Sequence, residues 1–242
     1  MSIRTKQELL DFLPKPTQTR LLELLHSLET QLGDDLAALI VYGGAVRGGP
    51  GDPDDLQLMV VLREAAPEKL GAIAEALNLL RYAVRIEAMI LTSGEVPQAA
   101  DVFPLLYDDI RSAHVLLAGT DPFSPLAISD RHRRLRIEQE LREAQIRLRR
   151  LLVDSLGARA ALGAGLARKL RQIRSPLRAL LLLQKVSCSA HQDDVLRAAG
   201  ERYGVDPAPL LTGALREAPE RAVPSLIRLL ESAVQEVDKL PD

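Results

Sequence analysis

Apolar positions fall into two kinds of pattern along the chain. Residues 19–32 place Leu21, Leu22, Leu24, Leu25 and Leu28 at helical spacing, and residues 6–13 form a shorter amphipathic stretch set apart by Pro14 and Pro16. Short apolar runs of strand length follow at 36–42 and 56–62, with a glycine-rich turn between them. Residues 67–80 return to helical spacing through Leu70, Ile73, Ala74, Leu77 and Leu80. Residues 82–91 read as a third strand. Its two faces are similarly apolar, which predicts cover on both sides. A partly helical segment over 101–112 and a short strand at 115–117 complete this half.

Beyond Ser129 only helical periods remain. They predict helices over 130–154, 162–184 with Pro176 as a kink or break, 191–203, 207–217 and 223–240. The expected fold class is therefore α+β: a small mixed sheet with flanking helices over residues 1–129 (core about 20–122), then an all-α helical bundle over 130–242.

Composition narrows the function classes. Apolar residues make up 47% and charged residues 26% of 242 residues, as in ordinary globular proteins. The single cysteine, Cys188, excludes an internal disulfide and a cysteine-built zinc site. Aromatic residues are 3% with no Trp, which argues against base-stacking platforms. The polar start of the chain and the short apolar runs predict no signal peptide and no membrane span, hence a cytoplasmic protein.

Charge is balanced in total and uneven in placement. Residues 1–130 hold 10 basic and 19 acidic residues, residues 131–185 hold 15 and 4, and residues 186–242 hold 6 and 10. The basic middle suits a phosphate, nucleotide or RNA; the plainer expectation is a solvated helix face that pairs with the acidic N-terminal part.

Chemistry concentrates in residues 36–62, LAALIVYGGAVRGGPGDPDDLQLMVVL. A strand that ends in Gly43 and Gly44 lets backbone amides approach a phosphate, and Arg47 brings bidentate donors to it. Carboxylates at i and i+2 of a following strand share one face, and with a third on a neighbouring strand they hold paired magnesium ions for phosphoryl transfer.

This segment resembles the polymerase-beta-type nucleotidyltransferase superfamily. Tyr42-Gly43-Gly44 stands for apolar-Gly-Ser, Arg47-Gly48 for the following Arg-Gly, and Asp54-Asp55-Leu56-Gln57-Leu58 for Ser-Asp-Leu-Asp-Leu. Gly44 replaces the phosphate-contacting serine, and Gln57 replaces the second metal-binding aspartate. Further segments, Asp101-Val102-Phe103-Pro104, Leu117-Ala118-Gly119-Thr120-Asp121 and a helix opening on Leu135-Arg136, resemble a group of bacterial nucleotidyltransferase-domain proteins to which no activity is attached. That likeness covers about residues 36–152.

The resemblance implies Asp55 and Glu87 as metal and catalytic carboxylates, and Gly43, Gly44 and Arg47 as the nucleotide-binding set. Gln57 offers one neutral oxygen to a hard cation, so magnesium is held weakly by Asp55 and Glu87. The expected function is a degenerate nucleotidyltransferase-like protein, a pseudoenzyme that binds a nucleotide or other phosphate ligand or serves as a scaffold. The alternatives are an active magnesium-dependent transferase acting on a small molecule, protein or RNA, and a structural or oligomerisation module.

Other residues have plainer readings. Asp101, Asp108 and Asp109 suit helix capping and surface charge. His114 and His132 have no partner at metal-ligand spacing, and His191 before Asp193 and Asp194 suits a helix start. The helical tail is similar to the substrate-binding or HEPN-type bundles that follow small nucleotidyltransferase domains. It lacks the close Arg–His spacing of the HEPN ribonucleases, since Arg178 lies thirteen residues before His191.

Overall fold

A computed structural model describes residues 5–47, 56–86, 88–155 and 157–240. The chain divides into two compact units. One comprises residues 1–100 with 107–127, the other residues 101–106 with 128–242.

In the first unit a single helical turn, Glu8–Leu10, replaces the helix expected over 6–13. Thr5 and Glu8 cap each other across it, and Pro14 stops its extension. Helix α1, Lys15–Leu32, begins earlier than the periodicity predicts because a proline fits a first helical turn. It buries Leu21, Leu24, Leu25, Leu28 and Leu32. Strand β1, Leu36–Gly43, and strand β2, Leu56–Leu62, follow.

Helix α2, Pro67–Val84, runs four residues past the expected end and stops on Arg85 in the left-handed region. Residues 82–84 are thus helix, and strand β3 is only Ala88–Thr92. The double cover expected for β3 is also corrected. It is an edge strand, paired only with β2, and none of its residues is fully buried. Two short helices, α3 (Glu95–Gln98) and α4 (Pro104–Ser112), precede strand β4, His114–Gly119.

The sheet order is β3-β2-β1-β4. β1 is antiparallel to β2 and β4, and β2 is parallel to β3, so the sheet is mixed. One face carries Leu39, Val41, Leu58, Val60 and Leu62 into a core shared with the buried faces of α1 and α2. The opposite face carries Ala38, Ile40, Met59 and Val61, which are also buried. Burying both faces of β1 and β2 explains their unbroken apolar runs.

The second unit is helical. Ser129 caps α5, Asp130–Asp154, by accepting from the His132 backbone N–H at 3.2 Å. Helix α6, Arg159–Leu183, runs through Pro176 without the break the sequence allows. Helices α7 (Gln192–Tyr203), α8 (Thr212–Glu217) and α9 (Pro219–Asp238) complete it. A proline at the first turn starts α9 four residues ahead of expectation. Ile137, Leu141, Leu148, Leu166, Leu170, Ile173, Leu177, Leu229 and Leu230 are among its fully buried side chains. At Gly165 the helices approach so closely that a Cβ would lie 2.3 Å from the Leu151 side chain. Among the described residues no helix is long and apolar enough to cross a membrane.

Candidate functional site

Strand direction brings Gly43, Gln57 and His114 to one end of the sheet. β1 ends at Gly43, and its antiparallel neighbours β2 and β4 begin there, as does β3, which runs with β2. Leu56 lies opposite Gly43, Gln57 opposite Tyr42, and His114 opposite Tyr42 on the other side. Opposed residues in antiparallel strands point to the same face. Gln57, Tyr42 and His114 therefore form a row across the glycine end, on the face away from α1 and α2.

Gly43 has φ +112°, a backbone conformation that side chains disfavour. Gly44 follows in a turn, and the Arg47 backbone N–H donates to its carbonyl at 3.1 Å, closing a 3-10 turn over Ala45–Arg47. The strand–Gly–Gly–Arg order seen in the sequence is thus one compact corner. Asp55 and Glu87 lie outside the described residues, as does Gly48.

Gln57 is exposed at the start of β2. As a neutral amide it supplies no charge to a cation. Among the described residues no group of three or more His, Cys, Asp or Glu side chains is arranged for a metal.

Two side chains of this row take no part in the expected ligand set. Tyr42 is 5% exposed, and burial pushes its phenol up to about 12. It is a neutral hydroxyl at any physiological pH. His114, expected to stand alone, has two neighbours: Nδ1 is 2.8 Å from the Ile110 carbonyl and Nε2 is 3.6 Å from Asp121 Oδ2. The carbonyl can only accept, so Nδ1 carries the proton and Nε2 faces the carboxylate. Only their pairing across β1, not their spacing in sequence, brings these side chains together.

The remaining expectations fall elsewhere. Asp108 and Asp109 lie on α4, and Asp101 precedes it. Burial raises the Cys188 thiol above its ordinary value, away from thiolate reactivity. His191 precedes α7 without a side-chain cap. Asp193 accepts from the Thr212 hydroxyl at 3.0 Å, tying the start of α7 to that of α8.

The basic stretch of α5 is neutralised largely within its own helix. Arg133, Arg136, Arg142, Arg147 and Arg150 pair with Asp130, Glu140, Glu138, Glu143 and Asp154. Arg142 also meets Asp238 of α9 at 2.9 Å. These five arginines meet carboxylates of their own helix. Carboxylates one turn away reach them first.

No family model matches the sequence, and no curated protein matches it. Among solved structures, the chain is similar to the spectinomycin adenyltransferase of Enterococcus faecialis, determined with ATP and spectinomycin. The TM-score is 0.55 at 13% identity, over 91% of this chain and 99% of that one.

Proposed function

From a fold of nucleotidyltransferase type, we propose that the glycine end of the sheet binds a nucleotide or related phosphate ligand and that its metal chemistry is degenerate. The observation that carries this reading is the corner itself. β1 ends on a glycine with positive φ opposite Leu56 of β2, a second glycine follows, and the Arg47 backbone closes the turn. Glycines let the chain approach a phosphate, and the guanidinium supplies paired donors and charge.

Gln57 supports the degenerate half of the proposal. The family pattern of two carboxylates two residues apart is reduced in this sequence to Asp55, with Gln57 at the second position and Glu87 as the third acid. Weakening a metal that stabilises a phosphoryl-transfer transition state removes several kcal/mol, on the order of several powers of ten in rate.

An active transferase is the second reading. It is favoured by the likeness to a structure that holds ATP and a small molecule. In that case Asp55 and Glu87 are the metal ligands, and a small molecule, a protein or RNA is the acceptor.

Calorimetric titration of ATP into the protein tests the binding half, with and without Mg²⁺. Saturable binding that weakens at least about ten-fold in Arg47→Gln is expected, the worth of a charged phosphate contact. Absence of binding in the unmodified protein, or equal binding by Arg47→Gln and Gly44→Val, overturns it.

A further inference from the structure

A second charged site lies wholly within the helical unit. An open cleft of about 210 Å³ between α5 and α6 is lined by Arg136, Glu140, Glu143, Arg147, Lys169 and Gln172. Lys169 is 7% exposed, a degree of burial that lysines seldom reach without a carboxylate partner. Its ammonium donates to Gln172 Oε1 at 2.9 Å, a neutral acceptor. The two carboxylates of the cleft pair with its arginines. Glu140 meets Arg136 at 2.7 Å, and Glu143 pairs with Arg147. Three cations thus face two anions, and Lys169, the most buried of them, has a neutral hydrogen-bond acceptor.

We propose that this cleft binds a small oxyanion, a phosphate or a carboxylate, with Lys169 at its floor and Arg136 and Arg147 at its sides. An ammonium has three donors, so two remain beyond the bond to Gln172. The volume exceeds several times the roughly 30 Å³ that one water occupies in the liquid, which leaves room for an inorganic phosphate or a small monoester. Burial first, then the positive charge of Arg147, holds the Lys169 ammonium below its ordinary range, with Glu143 opposing and Arg168 adding to it. An incoming anion relieves both penalties. The corner at Gly43 lies in the other unit and plays no part in this proposal.

The test is titration of inorganic phosphate, and separately of acetate, into the full chain by calorimetry. A binding event for either anion is expected that weakens at least about ten-fold in Lys169→Met, which keeps the length of the side chain and removes the charge, and that is separate from any phosphate held at the glycine corner. Binding of phosphate alone identifies a phosphorylated ligand; binding of acetate alone identifies a carboxylate. Reductive methylation of the unmodified protein, mapped by mass spectrometry, gives a readout independent of the variant. The bound anion is expected to slow modification of Lys169 several-fold and leave Lys6, Lys15 and Lys239 unchanged. Absence of binding by both anions, or binding that neither protects Lys169 nor weakens in Lys169→Met, overturns the proposal. ATP titration of Lys169→Met separates this outcome from the fate of the nucleotide corner, where no change is expected.

Discussion

The glycine corner and the α5/α6 cleft are built from opposite materials. The corner is backbone: two glycines, a closed turn and the ends of four strands, with few charged side chains among the described residues. The cleft is side chain: six polar groups on two regular helices, with no unusual backbone in its lining. A backbone site is written as a contiguous run of residue types, because glycine is needed at fixed places along one segment. A side-chain site on facing helices is scattered. Arg136 and Gln172 are far apart in sequence, and neither belongs to a motif.

Substitutions that strain each unit should separate these designs. At Gly119, the end of β4, φ is +77° and a Cβ would lie 1.8 Å from the Ala37 carbonyl oxygen. That clash is with backbone and cannot be relieved by a rotamer. Gly119→Ala is expected to cost about 3–5 kcal/mol, read as a fall in the urea midpoint.

Alkaline pH provides the next largest effect. The Tyr42 phenol is raised from 10.0 to about 12 in the folded protein, so its contribution is whole below pH 10 and is lost as pH rises through 12. Across that window the loss is about 2–3 kcal/mol, and Tyr42→Phe should remove it from the pH dependence of unfolding. Burial raises Tyr203 of α7 as well, with Glu236 reinforcing it, and Tyr107 of α4 with Glu95 reinforcing it, so a slope of the same sign remains and Tyr203→Phe reduces it further.

Gly165→Ala is the helical counterpart of Gly119→Ala. Its new methyl meets the flexible end of Leu151 rather than backbone, so about 1–2 kcal/mol is expected. A cost equal to that of Gly119→Ala would break the contrast between the two units.

Gln57→Asp restores a carboxylate at an exposed position and should leave the fold intact. Magnesium-dependent ATP affinity is expected to rise about ten-fold, near 1.4 kcal/mol. No change in calorimetry would favour a corner that holds phosphate without any metal.

The smallest effect belongs to the helix surface. Arg150 and Asp154 pair at 3.3 Å with side chains 84% and 63% exposed. Arg150→Gln should lower stability by no more than about 0.5 kcal/mol in thermal melts.

The fold class was legible where periodicity was unambiguous. β2 and α5 fall where their patterns predict, because long apolar runs and long helical stripes have few alternatives. The boundary between α2 and β3 was not legible. Residues 82–84 suit either state, and the helix continues until Arg85 terminates it in a left-handed conformation. Pro176 predicts a kink or break, yet flanking Ile173, Leu177, Leu180 and Leu181 are all buried and tertiary packing carries the helix through without a break.

At the corner, Gly43, Gly44, Arg47 and Gln57 could be picked out because the motif is local. The pairing of Tyr42 with His114 could not, since it depends on β4 lying beside β1 across more than seventy residues. Lys169 gave no signal at all. One lysine in an arginine-rich helix looks solvated until the depth of its burial is known.

Transfer from NTPs labelled at the α-phosphate, with Mg²⁺ or Mn²⁺, tests the degenerate site most directly. The acceptors are the protein itself, bulk RNA and a cell extract, with Asp55→Ala as the control. The expected result is nucleotide binding without label transfer above the Asp55→Ala background. Transfer that disappears in Asp55→Ala contradicts it and makes the chain a working nucleotidyltransferase.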